Sequence, residues 1–345
     1  MVDLDALGRL GFGAASIGNL YRSMPDADAA ATLRTSWAAG LRYIDTAPHY
    51  GFGLSEKRVG DALADLDPGE TAIVSTKVGR RLDPVPAGTD LTAMRQAFVT
   101  PEPFQSVFDY SYDAVMRSYE ASRVRLRRDR IDILYVHDIG AMAHGDDHPR
   151  RFAEFIEGGY RALRELRDGG AVGAIGLGVN ETRVCEEVMA VGTIDVVLLA
   201  GRYTLLEQDA LETFLPLCEA RDVRIVLGGP YNSGILAKGV RHGSEVQYDY
   251  RPAPPAILAR VGAIEDICFA HGVPLAAAAL QLPLAHRQVV SVIPGMGSPA
   301  QVTQAVALMD LPIPPALWRD LKDHGLIRAD TPVPPSPERK HVPCA

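Results

Sequence analysis

The sequence predicts an α/β fold, a single (β/α)8 TIM barrel with long loops at the C-terminal face of its strands. Three observations support this prediction: eight short apolar runs rich in β-branched residues, helical patterns between them, and a length of 345 residues, which suits one such barrel. Runs that are apolar on both faces indicate parallel strands covered by helices. An open dinucleotide-binding sheet would require a G-x-G-x-x-G turn, and the glycines of GFGAASIG at 11–18 are spaced differently.

The predicted strands follow one another along most of the chain. The first, at 9–13, is weak, and the second, at 41–45, begins after Gly40, a glycine of the kind that ends helices. Six further apolar runs complete the set: 72–76, 131–136, 172–177, 194–200, 224–227 and 289–293. The first helical pattern starts at aspartates suited to N-capping. The predicted helices are 26–39, 55–65, 112–126, 151–168, 182–190, 207–221 and 255–271.

Three segments interrupt the alternation of strand and helix. They cover 80–108, which is Pro-rich and reads as irregular, 139–150 and 231–255, and each follows a predicted strand. The carboxyl ends of the strands carry the active sites of barrel enzymes, so we expect these segments to form a lid over a substrate. We assign residues 1–330 to the barrel and 331–345 to a Pro-rich C-terminal tail.

Composition and charge exclude several classes of protein. The net charge of −8 argues against a nucleic-acid partner, and the longest apolar stretch, 274–285, is too short to span a bilayer. The N-terminus lacks the basic and apolar regions of a signal peptide. We therefore expect a cytoplasmic protein that acts on a small molecule; its oligomeric state is not predicted. The four cysteines lack metal-site spacing and are interpreted as reduced thiols: Cys185, Cys218, Cys268 and Cys344.

Four polar residues occur where predicted strands end. Asp45 ends one strand, Tyr50 follows five residues later, and Lys77 and His137 directly follow the next two strands. Neighbouring strand ends lie side by side in a barrel, so these side chains can converge. A lysine ammonium lowers the pKa of a nearby tyrosine, an aspartate keeps a buried lysine charged, and an imidazole can orient a substrate oxygen. This set can move a proton on or off an alcohol or carbonyl oxygen while another group moves a hydride.

The segments YIDTAPHYGFGLSE, VSTKVG and DILYVHD resemble the aldo-keto reductases, and the resemblance extends to about Leu311. In that family an Asp, a Tyr, a Lys and a His form the catalytic tetrad, which falls by motif on Asp45, Tyr50, Lys77 and His137. The resemblance implies a barrel and a nicotinamide cofactor bound in extended form across the barrel mouth. Such a binding mode needs no Rossmann turn.

The resemblance also implies a set of cofactor-binding residues, with departures from the family pattern. The run GLGVNET keeps Asn180, expected at the nicotinamide carboxamide, but has Val179 instead of the usual serine; Ala200 replaces a frequent glutamine. In GGPYNSGIL, Gly228 stands where relatives place a stacking aromatic, and Tyr231 either contacts the cofactor or covers the barrel mouth. The expected cofactor-binding residues are Gly13, Asn180, Gly228, Tyr231, Asn232, Ser233, Gly234, Leu236, Ile293, Gly295, Gly297 and Gln301.

The run VIPGMGSPAQV implies the identity of the cofactor. Relatives that prefer NADP place a lysine and an arginine around its 2′-phosphate, because that dianion needs cationic partners. The corresponding positions are Gly295 and Gln301, and no Lys or Arg occurs between Arg287 and Arg319. The sequence therefore predicts NAD rather than NADP.

The runs GFGAASIGNLY, AGRYTLLEQ and GGPYNSGIL are most similar to family members that oxidise L-fucose, D-arabinose and related D-threo-aldoses to lactones. A similar member oxidises pyridoxal at C4. The resemblance implies NAD-dependent oxidation of the C1 hemiacetal hydroxyl, with Tyr50 as the base and Lys77 as its support. The residues expected to contact the substrate are His49, Tyr50, His137 and Asp138.

Several alternatives stay open. Within the family, the chain could be a pyridoxal 4-dehydrogenase or another aldehyde or ketone reductase, and outside enzymes it could be a cofactor-sensing regulatory subunit. A metal-dependent hydrolase on the same barrel could use His49, His137, Asp138, His144 and His148 as ligands. Such hydrolases tend to present an H-x-H motif at the end of the first strand, which this sequence lacks, so no metal site is predicted.

Overall fold

The computed structural model describes residues 2–241, 246–249 and 251–335. Eight parallel strands form one sheet in which the spatial order equals the chain order. Parallel bridges between Leu10 and Val292 and between Gly13 and Gly295 join the last strand to the first and close the sheet. The predicted barrel is thereby confirmed. The strands are β1 (Phe12–Gly13), β2 (Tyr43–Asp45), β3 (Ile73–Val78), β4 (Ile131–His137), β5 (Val172–Val179), β6 (Val196–Ala200), β7 (Arg224–Gly228) and β8 (Val289–Ile293).

The first two strands are shorter than predicted. The strand expected at 9–13 pairs with the second strand only at Phe12 and Gly13, and Leu10 adds a bridge to Val292 on the other side. The strand expected at 41–45 pairs only from Tyr43. Close packing explains part of this difference, because a Cβ atom at Gly11 would lie 2.7 Å from Ile293 and 2.8 Å from the Tyr43 ring. Only glycine allows the chain to pass so near the barrel interior.

Helices surround the barrel and correspond to the predicted helical patterns up to residue 271. Within the predicted helix 151–168, a π-helical turn, Phe155–Gly159, connects two α-helices. Of the predicted helix 207–221, only the second part is α-helical. After residue 271 the sequence predicts no helix bounds, only a helix N-terminus near 295–301. One helix found there, Leu275–Gln281, is almost entirely buried and so lacks an amphipathic pattern. The helices are α1 (Asp26–Ala38), α2 (Leu54–Leu66), α3 (Tyr112–Leu126), α4 (Ala141–His144), α5 (His148–Glu154), α6 (Tyr160–Asp168), α7 (Arg183–Val191), α8 (Phe214–Arg221), α9 (Ile235–Lys238), α10 (Pro255–Ala270), α11 (Leu275–Gln281), α12 (Pro299–Asp310) and α13 (Pro315–Asp323).

The three long segments after strands contain more regular structure than expected. The segment 80–108 is not irregular throughout: Arg80–Pro84 pairs with Phe104–Phe108 as an antiparallel hairpin, here called the Arg80 hairpin. The prolines that suggested irregular structure lie mostly between its two arms. The segment 139–150 contains α4, and 231–255 contains α9 and a small hairpin, Gln247–Tyr248 with Arg251–Pro252.

The barrel interior is filled by side chains from alternate strand positions, so it is a packed core and not a channel. Three of the four cysteines are buried in α7, α8 and α10, as small hydrophobic residues would be. Cys344 and most of the predicted tail, 336–345, lie outside the described residues. The interior side chains are Leu7, Tyr43, Ile133, Tyr135, Ala174, Val196, Leu198, Val226 and Ile293.

The described ranges contain thirteen α-helices. There, no single helix is long and apolar enough to cross a membrane; one pair, Pro255–Ala270 with Leu275–Ala285, passes by length and composition only when taken together and is bent by 101°.

Candidate active site

The four polar residues predicted at strand ends come together at the carboxyl face of the barrel. The Lys77 ammonium donates hydrogen bonds to Asp45 Oδ2 at 2.7 Å and to the Thr46 carbonyl oxygen at 2.9 Å. Its Nζ lies 4.7 Å from the centre of the Tyr50 ring, and the Tyr50 and His137 ring centres are 5.9 Å apart. The structure therefore brings all four predicted residues into one cluster.

Close backbone packing holds Tyr50 and Lys77 in place. Gly51 has φ of +67°, and a Cβ atom there would lie 2.3 Å from the Gly18 carbonyl oxygen, so the turn that carries Tyr50 rests directly on the 16–18 segment. A Cβ atom at Gly178 would approach Lys77 Cε to 3.2 Å. Glycine at these two positions leaves the space that the reactive side chains occupy.

A buried hydrogen-bond chain orients Asp45 from below. Ser75 Oγ donates to Asp45 Oδ1 at 2.7 Å, and the Tyr43 hydroxyl lies 3.1 Å from Ser75 Oγ and 3.2 Å from the Tyr135 hydroxyl. Both Asp45 oxygens are thus engaged, one by Ser75 and one by Lys77. The sequence analysis missed these supporting residues, although Tyr43 with Asp45 and Ser75 with Lys77 show the two-residue spacing of one strand face.

Burial and charge set the protonation of the cluster. Burial raises the pKa of Asp45, with Lys77 and Ser75 opposing it; burial also disfavours the Lys77 ammonium, but Asp45 and Tyr50 outweigh this and raise the Lys77 pKa. Burial raises the pKa of Tyr50 more than Lys77 lowers it. The predicted lowering of the Tyr50 pKa by Lys77 is therefore present, but in the free protein desolvation outweighs it.

A cavity of about 530 Å³ opens above the cluster, and His49 and Asp138 line it as predicted. The lid segments 80–108 and 231–255 supply Phe98 and Gln247, among others. Of the described residues that line the cavity, none comes from 139–150, so the expectation of a lid role for that segment is not met. Its histidines are held elsewhere, because His144 bonds the Tyr110 hydroxyl at 2.9 Å and His148 bonds Glu187 at 2.8 Å.

The sequence analysis also missed Arg80, which lines the cavity beside His137. Arg80 Nη2 lies 2.5 Å from Asp138 Oδ2, and the guanidinium carbon lies 4.4 Å from the centre of the Phe108 ring. Asp138 has φ of +49°, and the Tyr110 hydroxyl is 3.0 Å from the carbonyl oxygens of both His137 and Asp138. The only available signal was that Arg80 follows Lys77 by three residues, at the start of a segment judged irregular.

The two cavity histidines are neutral. Burial lowers the pKa of His49 to about 3 and that of His137 well below its ordinary value, and the Arg80 and Lys77 charges add to both shifts. In each ring Nδ1 is buried and bonds none of the described residues. Across the described ranges, no group of three or more His, Cys, Asp or Glu side chains is placed to hold a metal ion.

The low pKa of His49 predicts acid destabilisation. Because His49 is neutral in the folded protein with a pKa of about 3, and takes up a proton when unfolded, stability falls as the pH drops below about 6.5. The contribution of this one group reaches about 1.4 kcal/mol per pH unit. Urea denaturation between about pH 7 and pH 5 should show a shallower slope for His49→Gln than for the unmodified chain. The exposed His324→Gln variant is the control, and equal slopes for all three proteins would contradict the prediction.

The cavity continues toward the ends of β5 and β6. Its wall there consists of small or apolar residues together with Asn180, whose side-chain amide bonds none of the described residues. Gly228 leaves the space above the end of β7 free of a side chain, and a Cβ atom there would lie 3.0 Å from Leu198. A second cavity of about 450 Å³ adjoins the first, and Tyr21 and Gln247 line both.

The second cavity supplies features that suit a phosphate-containing ligand. Ser233, Gly234 and Lys238 line it, and Gly234 has φ of +96° with nothing within 4 Å of a Cβ placed there. The two cavities share Tyr21 and Gln247 in their walls, with the Asn180 amide in the first and the Lys238 ammonium in the second. The residues present therefore fit an extended nicotinamide dinucleotide.

Several predicted cofactor residues have their side chains engaged within the protein. Thr204 Oγ1 donates to Asn232 Oδ1 at 2.7 Å, and Asn232 Nδ2 donates to the Gly201 carbonyl at 3.1 Å. Leu236 and Ile293 are buried in the core, and Tyr231 is half-buried against it. These residues are available to a ligand chiefly through their backbone.

At the turn predicted to bind the adenosine end of the cofactor, a predicted side chain is also engaged within the protein. Gln301 Oε1 accepts a hydrogen bond from the Gly297 amide at 2.7 Å, and Ser298 caps the N-terminus of α12. Gly295 is exposed, and the Gly13 amide donates to the Pro294 carbonyl at 3.1 Å. The uncharged turn 295–298 therefore directly precedes a helix N-terminus.

Comparison with known proteins gives consistent results. A family model described as the Aldo/keto reductase family matches residues 9–325. Pyridoxal 4-dehydrogenase from Microbacterium luteolum is 43% identical over 325 residues, covering 92% of this chain and 94% of that protein. D-threo-aldose 1-dehydrogenase from Pseudomonas sp is 39% identical over 326 residues, covering 93% and 95%. The solved glycerol dehydrogenase from Gluconobacter oxydans shares the fold with a TM-score of 0.72 at 23% identity, covering 96% of both chains.

Proposed function

The chain belongs to the aldo/keto reductase family and is an oxidoreductase acting on CH–OH groups, and we propose that it oxidises the C1 hemiacetal hydroxyl of an aldose to a lactone. The expected substrates are of the L-fucose or D-arabinose type, and the expected cofactor is NAD. The observation that carries the proposal is the Asp45–Lys77–Tyr50–His137 cluster at the base of a cavity, in a chain 39% identical to a D-threo-aldose 1-dehydrogenase.

The cluster explains how the hydroxyl loses its proton. When bound, a nicotinamide cofactor supplies the acceptor for the hydride that leaves C1. Tyr50 as phenolate takes the hydroxyl proton, so that a C1 carbonyl remains after both hydrogens have gone. Lys77 stabilises that phenolate, and Asp45 keeps Lys77 charged. His137, neutral in the cavity, orients the reacting oxygen by hydrogen bonding.

The preference for NAD rests on the region after β8. The described turn and the first part of α12 present Gly295, Gly297 and Gln301 and no cationic side chain, and Gln301 is tied to the Gly297 amide. A 2′-phosphate there would lack the cationic partners that it needs. We therefore expect kcat/KM to be higher with NAD than with NADP for every substrate that is turned over.

Pyridoxal is the second candidate substrate. The 43% identity to a pyridoxal 4-dehydrogenase favours it, as do the aromatic walls of the cavity, where the His49 and Phe98 ring centres are 5.2 Å apart. Pyridoxal also forms a cyclic hemiacetal, so the same proton transfer from the hemiacetal hydroxyl to Tyr50 applies. The two substrates differ in shape and in the number of hydroxyl groups, which a direct assay distinguishes.

The test is reduction of NAD or NADP, followed by absorbance, with L-fucose, D-arabinose, L-galactose or pyridoxal. We expect turnover of at least one aldose with NAD, and no turnover of methyl L-fucoside, which lacks the anomeric hydroxyl. Turnover of pyridoxal alone would replace the first candidate with the second. Binding of the cofactor without turnover of any of these compounds would contradict the proposal and favour a regulatory subunit.

A further inference from the structure

We propose that Arg80 is a specificity-determining residue that binds a substrate oxygen neighbouring the reacting hydroxyl, which is the 2-hydroxyl of an aldose. This inference rests on the proposed function, because it deepens the assignment of the same site. It predicts that the protein discriminates between sugars with and without an oxygen at C2. In pyridoxal the oxygen at C3 of the ring is the nearest counterpart.

Arg80 is placed in the cavity by contacts that leave part of its guanidinium free. Its side chain is 18% exposed and lines the same cavity as Tyr50 and His137. Phe108 covers one face of the guanidinium at 4.4 Å, and Asp138 pairs with Nη2 at 2.5 Å. Its Nε is buried and bonds none of the described residues. Among the described residues only Asp138 accepts a hydrogen bond from this guanidinium, so its exposed N–H groups are available to a ligand oxygen.

The position of Arg80 relative to the reacting centre follows from Asp138. The carboxylate oxygen that pairs with Arg80 is also 3.6 Å from His137 Nε2, so the guanidinium and the imidazole lie side by side. A hydroxyl held by Tyr50 and His137 therefore has Arg80 beside it. In the proposed binding mode, the substituent one carbon away from that hydroxyl is the group that Arg80 contacts.

The Arg80–Asp138 pair suits a neutral hydroxyl better than an anion. Asp138 offsets the charge of the guanidinium, and a hydroxyl can accept from Arg80 while it donates to a carboxylate oxygen. A buried site built for such a hydroxyl rejects an analogue that lacks it, because the protein groups then stay unpaired. The Tyr110 hydroxyl, 3.0 Å from the carbonyl oxygens of His137 and Asp138, fixes the backbone that carries the acceptor.

The experiment compares L-fucose with 2-deoxy-L-fucose for the unmodified protein and for Arg80→Gln, with NAD. We expect the unmodified protein to prefer L-fucose by about 10- to 100-fold in kcat/KM, in line with the loss of one charge-assisted hydrogen bond. Arg80→Gln should lose most of this preference because activity on L-fucose falls much further than activity on the deoxy sugar. Arg81→Gln is the matched control: Arg81 lies on the same hairpin, pairs with Asp83 and Asp109, and should retain the preference.

Asp138→Asn separates contact from positioning. If Asp138 acts mainly by holding Arg80, the single variant Asp138→Asn should have a lower preference for L-fucose over the deoxy sugar. Adding Asp138→Asn to Arg80→Gln should then have little further effect on that preference. An equal loss of activity on both sugars in Arg80→Gln, or no preference in the unmodified protein, would overturn the inference. If only pyridoxal is turned over, pyridoxal and 3-deoxypyridoxal replace the sugars in the same comparison.

Failure of the proposed function gives a different result. In that case the unmodified protein turns over neither sugar nor pyridoxal. Titration calorimetry with L-fucose and 2-deoxy-L-fucose still compares binding by the unmodified protein and Arg80→Gln. Tighter binding of L-fucose that disappears in Arg80→Gln would support the role of Arg80 without turnover, whereas equal affinities would overturn it.

Discussion

Replacing Tyr50 with phenylalanine should lower kcat by about 10²- to 10⁴-fold, the usual contribution of a positioned acid–base group. The loss is expected because Tyr50 is the group of the cluster that can take up the hydroxyl proton, whereas Lys77 is committed to Asp45 and Thr46. The phenyl ring preserves the packing against Phe98 and His137. Cofactor affinity, measured by fluorescence titration, should therefore stay unchanged while steady-state turnover falls.

The surface variant Tyr112→Phe controls for loss of a hydroxyl as such, because the Tyr112 hydroxyl bonds Glu165 on the helical layer. The raised pKa of Tyr50 adds a second expectation. Since the phenol keeps its proton at neutral pH and oxidation needs the phenolate, the oxidation rate of the unmodified protein should rise as the pH becomes alkaline. Undiminished turnover in Tyr50→Phe would show that another group transfers the proton.

Replacing Lys77 with methionine should lower the free energy of unfolding by about 3–5 kcal/mol and abolish turnover, because it leaves the Asp45 carboxylate buried without its cation. Both side chains are almost fully buried, at 2% and 4% exposure, so solvent screens the pair very little. Urea denaturation measures the stability loss. The pKa of Asp45, already raised by burial, should rise further, so the deficit should shrink in mildly acidic buffer, where the folded protein keeps a neutral carboxyl.

The double variant Lys77→Met with Asp45→Asn tests the origin of the loss. Removal of both charges should restore much of the stability but none of the turnover. Replacing both members of a buried ion pair lowers the free energy of unfolding far less than removing one member and leaving the other charge unpaired. A double variant as unstable as Lys77→Met would show that the loss comes from packing and not from an unpaired charge.

The barrel and the convergence of the tetrad could be predicted because both follow from local pattern. Strands apolar on both faces imply a covered parallel sheet, and consecutive strand ends are neighbours. The Arg80 hairpin could not be predicted in the same way, because its two arms are joined through a long Pro-rich loop and pair only in the folded chain. Arg80 and Phe98 were missed for that reason.

Side-chain direction and degree of burial were the other limits. Motif position indicated Asn232 and Leu236 as cofactor residues, yet the structure turns their side chains toward Thr204 and the core. The net direction of the Tyr50 pKa shift could not be predicted, because a sequence shows which charge follows a strand but not how completely water is removed. The assigned catalytic and cofactor roles remain predictions.

The short first strand has a consequence for motion. Because β1 contains only Phe12 and Gly13, the junction of the first and last strands is the least extensively paired part of the barrel wall. Local opening begins where paired backbone is scarce, so the amides near this junction should be among the first of the sheet to exchange with solvent. Gly13 and Gly295 lie at the edge of this junction. A ligand that contacts both would therefore stabilise the closed barrel and slow local opening of the backbone there.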